Sequence, residues 1–184
     1  MTILNATDRA ALLGIARGAI LGRLGIAPAP ALPSAGPLAE SRGAFVTVHV
    51  AGDLRGCIGS FRPTGSLAET VSRMAVAAAT EDPRFQPVRA DEISELQVAV
   101  SVLAPPYRLD DRRSVKVGTH GLIVRRGWHR GALLPKVAVE HGWDGEAFLR
   151  HACLKAGLPA SAWEEPETEV EVFEAEEFGE GEAT

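Results

Sequence analysis

The run Leu54-Arg55-Gly56-Cys57-Ile58-Gly59 holds the pairing in this chain best suited to chemistry. A thiol reacts as its thiolate, and a nearby guanidinium favours that form. Side chains alternate between the faces of a strand, so a regular strand here puts Arg55 and Cys57 on the same side. Glycine weakens a strand, and two glycines around a Cys-Ile pair need a reason. Close approach of a ligand or of another backbone is one. A β-bulge around a small buried cysteine is another. Cys57 is therefore read either as an activated nucleophile or as a packing residue.

Three further clusters carry polar groups that such a thiol would need. In Glu81-Asp82-Pro83-Arg84-Phe85, proline stops the preceding helix and leaves Asp82 and Arg84 at its end. Arg84 is read with Arg55 as an anion clamp, or Asp82 and Arg84 as a salt-bridged helix terminus. In Gly118-Thr119-His120-Gly121-Leu122 the histidine stands among glycines, which supply no walls for a packed side chain. It is read as a general acid or base near neutral pH, or as a loop residue. In Leu133-Leu134-Pro135-Lys136 an ammonium sits at a helix start, where the dipole disfavours it unless an anion is present. The candidate catalytic residues are thus Cys57 and His120, and the candidate substrate-binding residues Arg55, Asp82, Arg84 and Lys136, for a small anionic or acyl ligand. Cys153 shares helical spacing with Leu149, Ala152 and Ala156 and is read as core. The five histidines show no metal-ligand spacing, and neither a phosphate-binding glycine loop nor a dinucleotide fingerprint is present. No metal and no cofactor are expected.

The elements that must position these residues can be read from periodicity and capping. Residues 7–24 predict a helix capped by Thr7, with Leu12, Ile15, Ala16, Ala19 and Ile20 inward. Residues 27–36 hold three prolines and read as a linker or extended arm. Residues 44–51 and 54–60 predict a hairpin turning at Gly52-Asp53, with residues 96–103 in the same sheet. Ser66 and Glu69 have capping-box spacing and start a helix to about Thr80. Short strands at 121–126 and 131–134, a short helix at 136–141, a helix capped by Asp144 and ending before Gly157, and a last strand at 168–175 complete the pass. Helices set among hairpins point to an α+β fold with a mixed or antiparallel sheet. Residues 1–178 are expected to form one domain and residues 179–184 a disordered acidic tail.

The formal net charge of −5 hides a division: every Lys and Arg lies at or before Lys155, and ten of the 24 carboxylates lie from Glu164 to Glu182. The chain through Trp163 carries +5 and the remainder −10. An acidic chain is a poor general nucleic-acid binder. A local exception is the basic hairpin around Arg125, Arg126, Trp128, His129 and Arg130, read as a phosphate or RNA patch or as a solvated hairpin. The longest apolar run, residues 74–79, is too short to span a bilayer, and the first residues lack a basic start ahead of an apolar stretch. With two distant cysteines, a reducing, cytoplasmic setting is expected.

Taken in order, Gly43-Ala44-Phe45-Val46-Thr47, the segment from Leu54 to Gly59, Asp82-Pro83-Arg84-Phe85-Gln86-Pro87-Val88, Ser101-Val102-Leu103, Gly118-Thr119-His120-Gly121-Leu122-Ile123, Leu133-Leu134-Pro135 and Lys155-Ala156-Gly157-Leu158 resemble the AmmeMemoRadiSam system protein A family, the AMMECR-type domain, over residues 10–178. The resemblance implies an α+β fold with a larger and a smaller lobe and a cleft between them. It implies association with a radical S-adenosylmethionine enzyme and a Memo-type protein, and it names no reaction. Lys136 stands where the family usually has glutamine, so any role of that amide is changed or absent here. Three functions compete: a component of a modification pathway acting through Cys57, a non-catalytic partner or scaffold, and a nucleic-acid-associated protein using the basic hairpin.

Overall fold

The computed structural model describes residues 4–61 and 64–181, which divide into two compact units. The first unit comprises Met1–Leu103 with Glu176–Thr184, and the second Ala104–Ala175. The chain thus leaves the first unit, builds the second, and returns.

In the first unit, α1 (Ala6–Arg23) is capped by Asn5 rather than Thr7. Asn5 accepts from the Asp8 amide and the Asp8 carboxylate accepts from the Asn5 amide, each at 3.0 Å. Thr7 has no such reciprocal partner and lies inside the helix. The inward residues are those the spacing predicts: Leu12, Ile15, Ala16, Ala19 and Ile20 are buried. Strands β1 (Ala44–Val50) and β2 (Asp53–Ser60) form the expected antiparallel hairpin. Its two-residue turn is Ala51-Gly52, one residue earlier than the sequence suggests, and both residues have positive φ, 53° and 87°. Strand β3 (Leu96–Leu103) pairs antiparallel with the other edge of β1, so the order here is β2-β1-β3. Helix α2 (Leu67–Thr80) starts at Ser66 with the capping box in place and lies against β1 and β2. Val46, Val48 and Val50 of β1 and Leu96, Val98, Val100 and Val102 of β3 bury one sheet face under both helices.

The second unit has its own core, built from Leu122, Val124, Phe148, Leu149, Ala152, Cys153, Trp163 and Val172 among others. Strand β4 (His120–Arg126) turns at Gly127-Trp128 into β5 (His129–Leu133). Helix α3 (Pro135–Glu140) has proline at its first position, and α4 (Gly145–Lys155) is capped by Asp144 and ends before Gly157, whose φ is 74°. Strand β6 (Glu169–Gly179) pairs antiparallel with the far edge of β4.

Strand β6 is longer than expected, and the tail reading is corrected at its start. Gly179 belongs to the strand, and the Glu180 amide donates to the Val98 carbonyl at 3.0 Å. The Glu180 carboxylate takes two bonds from Arg17, at 2.6 and 2.7 Å, and one from the Val98 amide at 2.9 Å. The rest of the expected tail, residues 182–184, lies outside the described residues. No helix among the described residues is long and apolar enough to cross a membrane.

Candidate functional site

Cys57 is half-buried in β2, opposite Thr47 of β1. Both backbone groups of Cys57 turn away from β1: its amide donates to Asp82 Oδ2 at 2.9 Å and its carbonyl accepts from Arg84 Nη2 at 3.1 Å. Such a pair brings opposed side chains close. The Thr47 hydroxyl accordingly donates to Cys57 Sγ at 3.3 Å.

The two glycines have different reasons. A Cβ at Gly56 would fall on the carbonyl of Ala78, so Gly56 admits the backbone of α2 near its C-terminal end. A Cβ at Gly59 would fall on the Phe45 ring, which meets Phe61 edge-on at 4.9 Å. Neither glycine leaves open strand surface beside the sulfur. The bulge reading also holds in part: the register shifts so that His49 faces Leu54 and Val48 faces Gly56, leaving Arg55 as the extra residue. The alternation that would align Arg55 with Cys57 is interrupted there.

Asp82 is buried, 5% exposed, just beyond α2. Its carboxylate accepts from Arg84 Nε at 2.9 Å, Arg84 Nη2 at 2.7 Å, the Arg84 amide at 3.2 Å and the Cys57 amide at 2.9 Å. The Arg84 side chain foremost, then the amides of Cys57 and Arg84, hold its pKa far below the usual carboxylate range, against the opposing effect of burial. Arg84 is pinned by this carboxylate and by the Phe85 ring 5.2 Å below its guanidinium, yet its side chain is 58% exposed. Arg55 bonds both oxygens of Glu92, at 2.7 and 3.2 Å, and the carbonyls of Gln86 and Pro87, each at 3.2 Å. A depression of about 720 Å³ lies here, lined by Arg55, Arg84, Phe85, Pro87, Arg89 and Glu92 among others.

His120 and Lys136 belong to the second unit. His120 is 4% exposed, which corrects the reading of an unwalled loop histidine. Its walls come from tertiary neighbours: the Tyr107 ring stands edge-on at 6.1 Å, and the Phe173 ring fills the space beside Gly121. Nδ1 accepts from the Lys116 amide at 3.2 Å, which leaves Nε2 to donate to the Tyr107 hydroxyl at 3.3 Å. Burial pushes its pKa down, opposed by Glu174 and helped by Lys116. Lys136 is the second residue of α3 and half-buried. Cys153 is fully buried, and burial pushes its thiol pKa up. No group of three or more His, Cys, Asp or Glu among the described residues is placed to hold a metal ion.

The structure therefore assembles Cys57, Asp82 and Arg84, places Arg55 on an adjoining brace, and gives His120 separate partners. Sequence reading missed Thr47, Glu92 and Tyr107 as partners. Thr47 was legible only as a residue on the Phe45 and His49 face of β1.

A family model described as AMMECR1 matches residues 13–178. The chain belongs to the AMMECR1 family. It is 48% identical over 147 residues to a protein of Methanothermobacter thermautotrophicus, covering 77% of each chain. It is 49% identical over 154 residues to Protein MK0488 of Methanopyrus kandleri, covering 79% of this chain and 74% of that one. The crystal structure of the uncharacterized protein PH0010 from Pyrococcus horikoshii superposes with a TM-score of 0.82 at 40% identity, over 94% of this chain and 91% of that one. The AMMECR1 family thus accounts for the α+β fold with antiparallel strands and for the ordered motif series.

Proposed function

We propose that this AMMECR1-family chain is a component of a modification pathway that includes a radical S-adenosylmethionine enzyme and a Memo-type protein, with Cys57 as its reactive residue. The observation that carries the reading is the hydrogen bond from the Thr47 hydroxyl to the half-buried Cys57 sulfur. That donor fixes the direction of the sulfur and bonds the anionic form, which is the one that attacks an electrophile. Asp82 and Arg84 hold the strand by its backbone, so the sulfur sits on a rigid element.

The test is limited alkylation of the native protein with iodoacetamide, followed by peptide mapping. Cys57 should be labelled well ahead of Cys153, and Thr47→Val should slow Cys57 while leaving the urea midpoint nearly unchanged. Labelling of Cys57 only after denaturation would remove the reading.

A second reading, a non-catalytic partner of the same two proteins, is favoured by one observation: Arg55 and the Asp82 carboxylate spend their hydrogen bonds inside the unit. It predicts that Cys57→Ala preserves function in cells.

A further inference from the structure

The depression at the β2 edge has a feature the brace does not use. Arg84 spends Nε and Nη2 on Asp82 and on the Cys57 carbonyl. Its Nη1 has no hydrogen-bond partner among the described residues, although Asp82 and Phe85 fix the guanidinium that carries it. Arg89 lines the same depression, and its side chain meets Asp91 in a pair that is 72% and 66% exposed. A pair this exposed is worth little and yields readily to a competing anion. Phe85 and Pro87 supply apolar wall. Glu92, the carboxylate that lines the depression, is already bonded by Arg55 and by the Arg89 amide.

A fixed donor pair, a second exchangeable guanidinium and a short apolar wall suit one chemical group. We propose that this depression is a subsite for a carboxylate, bound by Arg84 Nη1 and by Arg89, with Phe85 and Pro87 covering the adjoining carbon, so that the partner molecule of Cys57 is a small electrophilic carboxylic acid. The subsite itself stands on the geometry of Arg84 and Arg89. The naming of a substrate class rests on the reading of Cys57 as reactive. The link between them is the Arg84 guanidinium, which bonds the Cys57 carbonyl and lines the depression. In fixing a carboxylate here, the protein would hold the electrophilic carbon at the strand that bears the thiol.

Two measurements separate the subsite from the thiol. In the first, propionate and propionamide are titrated into the ¹⁵N-labelled protein, and the Arg84 Nε–H resonance is followed by NMR. Propionate should shift it saturably, propionamide should not, and Arg89→Gln should weaken the propionate response. A resonance unmoved by propionate, or moved equally by the amide, overturns the subsite whatever the thiol does.

In the second, Cys57 is alkylated with iodoacetate and with iodoacetamide. Each reaction forms a sulfur–carbon bond and breaks a carbon–iodine bond. Iodide leaves with the electron pair, and the thiol proton goes to solvent. The ratio of the iodoacetate rate to the iodoacetamide rate should exceed that of the urea-unfolded protein by about tenfold, the worth of one charge-assisted hydrogen bond. Arg89→Gln should lower the ratio toward that of the unfolded protein. A thiol labelled in the native state with an unfolded-like ratio overturns the substrate class and spares the reactive cysteine. A thiol inert to both reagents, with the propionate shift intact, overturns the substrate class through the cysteine and spares the subsite.

Discussion

At the scale of single residues, Asp82 is the hinge of the candidate site, because one buried carboxylate serves the β2 strand, its own loop and Arg84 together. Asp82→Asn removes the charge and turns an acceptor into a donor facing N–H groups. It should lower stability by roughly 2 kcal/mol, the cost of leaving a buried hydrogen-bonding group such as the Cys57 amide without its acceptor, read as a drop in urea midpoint. The pH sign follows from the depressed pKa. The stabilisation is complete above the unfolded aspartate value of about 3.9 and is lost as pH falls below it, so Asp82→Asn should flatten the acid limb of the stability profile. His120 acts in the same direction at a higher pH. Its pKa is lowered by burial, so the fold favours the neutral ring. Stability is complete above the unfolded histidine value of about 6.5 and falls as pH drops below it. His120→Gln should lessen the difference between urea midpoints at pH 7.5 and pH 5.5, and an unchanged difference would remove His120 from the account.

At the scale of elements, the glycines of β2 separate two kinds of close packing. At Gly56 an added methyl meets the Ala78 backbone in α2, which moves only with the helix. At Gly59 it meets Cγ and both Cδ atoms of Phe45, which clear it only if that whole side chain swings about its Cα–Cβ bond, with no helix to displace. Gly56→Ala should therefore cost about 3 kcal/mol or more, at the upper end for overpacking, and Gly59→Ala distinctly less, both read by thermal or urea unfolding. The elements themselves were largely legible. The valine alternation of β1 and β3 and the Ser66–Glu69 box are local signals, and local signals suffice where burial and capping agree. The partner of Cys57 was not. A two-residue turn at Ala51-Gly52 alone would set Thr47 opposite Gly56, and only the extra residue at Arg55 moves Cys57 there. Bulges depend on what packs on the strand, here the end of α2, which lies far along the chain. His120 was misread for a related reason, since its walls, Tyr107 and Phe173, are remote in sequence.

At the scale of the whole molecule, the division into a basic body and an acidic end dissolves into pairs. Arg108, Arg113, Arg125 and Arg126 face Glu169, Glu164, Glu171 and Glu165, while Arg9 and Arg17 face Glu176 and Glu180. Among the described residues, six of the late carboxylates are thus matched to arginines, and two of those arginines, Arg125 and Arg126, belong to the hairpin read as a binding patch. The β4–β5 hairpin should accordingly show no salt-dependent binding of single-stranded RNA in a mobility or anisotropy assay. Tight binding that weakens steeply with salt would restore the nucleic-acid reading. Shortening the chain tests the other end of the same design. A chain stopped after Gly181 should unfold like the full one. A chain stopped after Phe178 loses the Glu180 contacts with Arg17 and Val98 and should lose about 2 kcal/mol, seen as an earlier urea transition.

Strand β6 also sets an order of events during synthesis. The first unit draws its members from both sides of the second, and the residues from Glu176 onward leave the ribosome after everything between Ala104 and Ala175. At translation rates of 5–20 residues per second, the nascent first unit must wait on the order of ten seconds for the stretch that completes it. Through that interval the Val98 amide and carbonyl that later meet Glu180 have only water or a chaperone to face, and Arg17 has the Leu96 carbonyl but no carboxylate. The second unit is contiguous and needs no such wait. In a translation-arrest series, protease resistance of the Ala104–Ala175 stretch should therefore be gained at a shorter nascent length than that of the N-terminal hairpin, although the hairpin is made first.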